Sequence, residues 1–533
     1  LTDAQRERPF CAGGAPLITA DAQRERPFCA GGAPLITADE MRAWDRHAID
    51  ERGIPGRVLM EAAGRAAAEV VERLYPEGRV VAAVGGGNNG GDALVCLRTL
   101  AARGREVAAV QAGSAFPDRA LLHGWELESH PAERAEAAFR GAAVVLDGIL
   151  GTGAEGAPRA PAAAVIEAIA ASGRPVVALD GPSGVDMTTG EAPGAAVRAD
   201  VTVTFGAPKR GLLLFPGRRF AGRVVAVEIG FPPLAPERAG ARVVTGAWVR
   251  ARLPVVPPDA HKGTLGTVVA VAGRSGVAGA AVMAAMGALR AGAGMARVVS
   301  HADNRLVIQQ AVPEALFTDR ASAELDAALE RADAVVAGPG MGTGDAELEL
   351  LRRIARRGDA PLLLDADAVT LLAREPEFRA EVRGPLLLTP HPGEASRLLG
   401  RPVREITADP FAAAAEIAAR FECAAILKGT PSLVVAPGEP ALVSVAGHSG
   451  IATGGMGDTL SGVAGALLGM GCSPRDAAAI GLFLSGRAAE IAGRGRSLLP
   501  RDVDAALPDA YASLETVERS DLPGVVFDLR AAY

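Results

Sequence analysis

Two α/β domains in tandem are predicted, on three observations. Short runs such as RVVAAV (79–84), AAVVLD (142–147), PVVALD (175–180) and VTVTF (201–205) are apolar throughout rather than alternating. Helical stretches such as Asp92 to Ala102 separate them, and the same alternation restarts after a proline-rich break between Gly230 and Pro258. Strands without a polar face, joined by helices, make a parallel sheet covered on both sides, so the first half reads as a doubly wound sheet. The second half repeats the pattern through TVVAVAG (267–273), DAVVAGPG (333–340), PLLLDADA (361–368), GPLLLTPHPGE (384–394) and AAILKGT (424–430). A chain of 533 residues exceeds what one core organises, and its 49% hydrophobic content is ample for two.

Taken in order, the N-terminus is anomalous: DAQRERPFCAGGAPLITA occurs at 3–20 and again, unchanged, at 21–38. Only the second copy runs into a helix, predicted from Asp39 with Met41, Trp44 and Ile49 set among charges. The predicted divisions are a duplicated, disordered segment (1–36), a first domain (37–230), a linker (231–255), a second domain (256–500) and a C-terminal tail (501–533). No long apolar core follows a basic start, which argues against a secretory signal.

Composition excludes several classes of function. The 55 basic against 62 acidic residues leave a formal charge of -7 with no dense Lys/Arg run, so no nucleic acid is expected. Five cysteines show neither metal-ligand spacing nor a disulfide framework, and a cytoplasmic location is expected. The most apolar windows, 276–289 and 459–472, fall short of the ~20 residues a membrane span needs. They are rich in Gly and Ala and read as packed helices near a site.

In open α/β sheets, ligands bind beyond the carboxyl ends of the strands. In the first half that rim carries GGGNNGGD (85–92), Asp147 and Asp180. The glycines let backbone approach a pyrophosphate, while Asn88 and Asn89 add side-chain donors and acceptors that a generic phosphate loop does not need. In the second half, Gly454 to Gly457 open a helix whose free N–H groups suit a phosphoryl group, and Asp458 can accept the proton of an attacking hydroxyl. Taken alone, that turn is equally a helix cap with Asp as the capping residue.

The ordered set GPGMG (338–342), LDADA (364–368), TPHPGE (389–394), LKGT (427–430) and GIATGGMGD (450–458) resembles the ribokinase-like NAD(P)H-hydrate dehydratases over about 256–495. The resemblance implies a ribokinase-like domain in which Lys428, Gly429, Thr430, Pro431, Ser432 and Gly457 contact the nucleotide. By the same correspondence Ala280, Gly342, His391 and Asp458 contact substrate, and Asp458 is the catalytic base. Met456, where a small residue is usual, and His448-Ser449, where Asn-Ala is common, depart from the pattern.

LMEAAGRAAAEV (59–70), VGGGNNGGDALV (84–95), DGILGTG (147–153), DGPSGVD (180–186) and TVTFGAPKRG (202–211) resemble the NAD(P)H-hydrate epimerases, from about Thr37 to Gly230. This implies a Rossmann-like domain with a potassium site at Asn89, Asp147 and Ser183. It also implies substrate contacts from Asn88, Asn89, Gly90, Gly91, Asp92, Gly151, Thr152, Gly153, Ala154, Glu155, Gly156, Ala157 and Asp180, with Asp147 as the acid/base residue. Departures are Ala62 for a common Asn, Ala93 for Gly and Gly181 for an apolar residue.

Together the resemblances imply repair of hydrated NADH and NADPH. The first domain would exchange the R and S forms, and the second would dehydrate the S form with ADP and Mg²⁺. A homo-oligomer is expected as well. The rival readings are a vitamin or sugar kinase that releases its phosphate ester, and a first domain that serves only as a scaffold.

Overall fold

The computed structural model describes residues 31–113, 116–234, 238–516 and 520–530. Two sheets organise them. In the first, seven parallel strands run in the order Arg223–Val227, Val201–Phe205, Val176–Leu179, Val144–Gly148, Val80–Val84, Val107–Gln111 and Glu128–His130. Helices Gly56–Leu74 and Asn88–Ala102 pack together over one face, and Ala162–Ser172 covers the other, which is why the strands carry no polar alternation.

The second sheet has a parallel centre: Leu316–Asp319, Met295–Ser300, Thr267–Val271, Ala334–Ala337, Leu362–Leu364, Leu386–Leu388 and Ala424–Leu427 are adjacent in space. Two antiparallel strands, Ser432–Val435 and Ala441–Ser444, extend it. The two apolar windows form helices Ala278–Arg290 and Met456–Gly469, and these pack on each other. Their closeness requires glycine: a Cβ on Gly462 would lie 2.0 Å from the Ala284 carbonyl oxygen, and one on Gly287 would lie 2.5 Å from that of Thr459.

The termini cross between the domains. Ala33–Leu35 precedes the first domain but pairs antiparallel with Ala241–Val243 at the edge of the second sheet. Val525–Leu529 follows the second domain but pairs antiparallel with Arg223–Val227 of the first. Residues 33–36 are therefore ordered, in contrast to the disorder expected for 1–36; the first repeat copy lies outside the described residues. The stretch expected as a linker holds the strand Ala241–Val243 and a helix, Gly246–Arg250, with Trp248 only 1% exposed. The expected tail completes a helix, Pro500–Ala512, before its strand. Three-residue strands are too short for a periodic signal; a neighbouring sheet edge supplies the backbone partners that order them.

The helix expected from Asp39 runs Ala38–Arg46. Thr37 and Glu40 cap it reciprocally, and Met41 and Trp44 are buried, whereas Ile49 lies beyond its end and is exposed.

Candidate functional sites

The first site lies at the carboxyl ends of the first sheet's strands. The chain leaves Val80–Val84 through Gly85 to Gly87 and enters helix Asn88–Ala102. Gly85 and Gly90 approach so closely that a Cβ on Gly90 would stand 2.0 Å from the Gly85 carbonyl oxygen. Asn88 is exposed, whereas Asn89, Gly90, Gly91 and Asp92 are buried. The Asn89 side-chain amide donates to the Leu150 carbonyl at 2.9 Å, and its Oδ1 is buried without a partner.

Asp147, at the end of Val144–Gly148, is 0% exposed. It accepts from the Ser183 N–H at 2.8 Å, the Ser183 hydroxyl at 2.6 Å and the Ile149 N–H at 3.2 Å. Burial lifts its carboxyl to about 6, against those hydrogen bonds. Asp180, after the next strand, has a left-handed φ of 64°, uncommon for a non-glycine residue. It accepts from the Lys209 ammonium at 2.6 Å, the Thr152 N–H at 3.1 Å and the Thr152 hydroxyl. Lys209 is fully buried and gives its other protons to Thr204 Oγ1 and the Phe205 carbonyl, both at 2.9 Å.

The carboxyls here are driven apart. Burial and the Asp180 charge raise Asp92 well above the ordinary carboxylate range. Burial also opposes ionisation of Asp180, but Lys209 and Thr152 outweigh it and hold Asp180 below that range. Of the Gly151–Ala157 loop, Gly151 and Thr152 close on Asp180. Gly153, Glu155, Gly156 and Ala157 are exposed at the rim, and Ala154 is half-buried.

The second site sits at the same end of the second sheet. Asp365, which follows Leu362–Leu364 and is 1% exposed, accepts from the Lys428 ammonium at 2.7 Å, Thr389 Oγ1 at 2.7 Å and Ser461 Oγ at 2.8 Å. Those donors come from two further strand ends and from the helix that carries Asp458. Gly455, at φ 91°, turns the chain into that helix, and Asp458 lies in its first turn. Burial and the Asp365 charge raise Asp458 to about 7, with Lys428 opposing. A Cβ on Gly457 would stand 3.4 Å from the Lys428 ammonium.

Gly342 donates its N–H to Asp367 at 2.8 Å, and Ala280 packs against Gly340 of the same loop. His391 is exposed at the start of helix Pro392–Leu399, and its N–H donates at 2.9 Å to Glu394, which is buried. Gly429 and Ser432 close a turn on each other, the Ser432 hydroxyl donating to the Gly429 carbonyl at 3.0 Å, with Thr430 and Pro431 between them.

A sequence profile of the NAD(P)H-hydrate dehydratase family matches residues 268–508, and a profile described as the YjeF-related protein N-terminus matches 56–211. The bifunctional NAD(P)H-hydrate repair enzyme Nnr of Moorella thermoacetica is 36% identical over 510 residues, covering 89% of this chain and 96% of the relative. The enzyme of that name from Escherichia coli is 37% identical, covering 85% and 88%. The chain belongs to the bifunctional NAD(P)H-hydrate repair enzyme family. Among solved structures, the ADP/ATP-dependent NAD(P)H-hydrate dehydratase of Bacillus subtilis, co-crystallised with ATP/Mg²⁺, is 29% identical with a TM-score of 0.46, over 51% of this chain and 97% of that one.

Each half of the family match thus contains one of the two clusters. The residues singled out from sequence gather around these clusters, but the hub of each was not singled out. Asp365 stood unassigned within LDADA, and Lys209 within TVTFGAPKRG. Both were readable as polar residues ending apolar strands or following one closely.

Proposed function

We propose that this chain repairs hydrated NADH and NADPH, exchanging the R and S epimers in the first site and dehydrating the S form with ADP in the second. The observation that carries the reading is the pair of clusters, each a buried Asp–Lys contact beside a carboxyl with a strongly raised pKa. Environments that push neighbouring titratable groups apart mark an acid and a base.

In the second site Asp458 takes the proton of the S-form hydroxyl as its oxygen attacks the terminal phosphorus of ADP, and AMP leaves. The phosphate ester then breaks: the ring nitrogen's lone pair expels phosphate, the adjacent ring carbon gives its proton to the departing phosphate, and the reduced ring is restored. Lys428 and the N–H groups at the start of Met456–Gly469 face the charge that develops on phosphorus. Both Asp365 oxygens are already engaged, and among the described residues no group of three or more His, Cys, Asp or Glu could hold a metal. Those residues suit a magnesium ion that arrives on the nucleotide phosphates rather than one in a protein cage, and it would neutralise phosphoryl charge there.

In the first site we infer that the acid–base role belongs to Asp92 rather than to Asp147. That carboxylate is sealed from solvent and both of its oxygens are taken, so it fits a holding role. Asp92 retains its proton and donates it to the departing hydroxyl, while ionised Asp180, fixed by Lys209, orients the ring. Water leaves as the ring nitrogen donates its lone pair. Return of water to either face, with its proton going back to Asp92, exchanges the epimers. The Asn89 amide and the Ser183 hydroxyl both meet the Leu150 carbonyl, and the buried, unpartnered Asn89 Oδ1 fits a potassium ion, which would tie the 85–92 loop to the 147–152 loop.

The test is incubation with chemically hydrated NADH and ADP or ATP, following nicotinamide absorbance, phosphate and both epimers. Recovery of both epimers is expected. Accumulation of a stable phosphate ester, or no recovery with either nucleotide, overturns the reading.

A further inference from the structure

The strand order of the second sheet reverses at Thr267–Val271. From there the chain adds Met295–Ser300 and Leu316–Asp319 on one side, then Ala334–Ala337, Leu362–Leu364 and Leu386–Leu388 on the other. Loops that leave neighbouring strands at such a switch point diverge, and open α/β sheets take ligands in the crevice between them, at the carboxyl ends of the strands. Here those loops are 272–277 and 338–344.

The two loops are joined at their base. Gly273 N–H donates to the Pro339 carbonyl at 2.9 Å, and Arg274 N–H donates to the Gly340 carbonyl at 2.6 Å. Asn304, 2% exposed, donates its side-chain amide to the Arg274 carbonyl at 2.9 Å. A Cβ on Gly338 would stand 1.8 Å from the Asp365 carbonyl oxygen, so the second loop is seated directly on Asp365. Met283, on the helix that follows the first loop, reaches the glycine turn before Asp458: a Cβ on Gly455 would stand 2.3 Å from its sulfur. The crevice therefore opens beside the Asp365–Lys428 pair and the turn that carries Asp458.

The backbone of Arg274 is fixed, while its side chain is exposed and runs along Gly342, where a Cβ would stand 3.5 Å from its Cδ. The charged groups around it are taken. Glu347 pairs with Arg320 at 3.2 Å, and Arg374 pairs with Asp345 at 3.1 Å and donates to the Thr343 carbonyl at 2.8 Å. Asp303 accepts from the Ser275 hydroxyl at 2.7 Å. Among the described residues, the Arg274 guanidinium has no ion pair or hydrogen bond of its own. A planar cation on a fixed backbone, with no acid committed to it, suits two oxygens of an arriving phosphate.

We propose that Arg274 contacts a phosphate group of the hydrated dinucleotide and so sets how tightly the second site takes that substrate. The inference rests on the assignment of S-form dehydration to this site. The substrate carries a pyrophosphate and, in the NADPH form, a further phosphate on the ribose. Lys428, held by Asp365, faces the phosphoryl group in transfer, and Arg274 supplies a cation for the phosphates of the other ligand.

The experiment is steady-state dehydration by the full-length chain, varying the S-hydrates of NADH and NADPH separately at saturating ADP, and then varying ADP. Arg274→Gln is expected to raise the substrate KM about tenfold. Its kcat should stay close to the parent's and its KM for ADP should not move, the pattern of a contact equally strong in the ground and transition states. Arg274→Lys should recover part of the loss. Sodium chloride should raise the parent's substrate KM more steeply than that of Arg274→Gln. An equal rise for both hydrates supports the inference through the pyrophosphate, and a rise confined to the NADPH hydrate supports it through the ribose phosphate. An unchanged KM for both hydrates, or a rise in the KM for ADP alone, overturns the inference and leaves the assignment of the site intact. Absence of dehydration by the parent with either ADP or ATP overturns that assignment itself.

Discussion

The two sites are built on the same motif and differ in what surrounds it. In each, an aspartate at the end of a parallel strand meets a lysine, at 2.6 Å for Asp180–Lys209 and 2.7 Å for Asp365–Lys428. Lys209 is 0% exposed and spends its remaining protons on Thr204 and Phe205, whereas the Lys428 side chain is 21% exposed and faces a glycine turn at a helix start. The first lysine is consumed by the protein and can only fix a carboxylate. The second has capacity left for an arriving anion. On the proposed reading, the same ion pair serves proton transfer in one domain and phosphoryl transfer in the other.

The largest test of this contrast is Asp458→Asn. Dehydration of the S form should fall by about 10²- to 10⁴-fold, the usual share of a general base, while epimer exchange continues. It is read by phosphate release with ADP. Loss of both reactions would mean that the sites are not separable. Removing the lysines probes the pairs directly. Lys209→Met leaves Asp180 buried without its counter-ion and should cost about 3–5 kcal/mol by denaturant unfolding. Lys428→Met should cost about 2 kcal/mol, since solvent reaches that pair. The reverse order would refute the distinction drawn between them.

Asp92→Asn and Asp147→Asn separate donor from holder in the first site. The former should lower epimer exchange by about 10²-fold at all potassium concentrations. The latter should act chiefly through a weaker response to potassium. If Asp147→Asn instead abolishes exchange regardless of potassium while Asp92→Asn is mild, the roles are reversed. The two reactions should also show opposite pH limbs. Dehydration needs ionised Asp458 and should rise through about pH 7, while exchange needs protonated Asp92 and should fall as pH increases.

The smallest expected effect reports on the crossed termini. Arg223, on the strand that the C-terminal strand flanks, pairs with Asp528 of that C-terminal strand at 2.6 Å, and both are partly buried. Asp528→Asn should lower stability by about 1 kcal/mol, visible as a modest drop in melting temperature. No change would indicate that backbone pairing alone holds that strand.

Much of the molecule was legible in the sequence because the signals were local. Apolar runs such as PVVALD ended at acids, glycines opened helices, and small-residue windows packed as helices. These follow from strand burial and from the closeness of backbone at Gly90, Gly287 and Gly462. What stayed hidden depended on partners far away in the chain. Asp365 gains its importance from Lys428 and Ser461, which lie 63 and 96 residues on. The resemblance made Asp147 both a potassium ligand and the acid/base residue; sequence spacing carries no burial, and only the fold wraps Ser183 around it.

The sequence by itself determined two parallel-sheet domains, the rim on which each site lies, and the residue types available there, since periodicity and glycine placement act within a few residues. Tertiary structure alone decided which carboxyls are pushed up and which are held down, because a pKa responds to burial and to charges brought from other strands. It also decided that each terminus completes the other domain's sheet, because short terminal strands persist only where a sheet edge offers them hydrogen bonds.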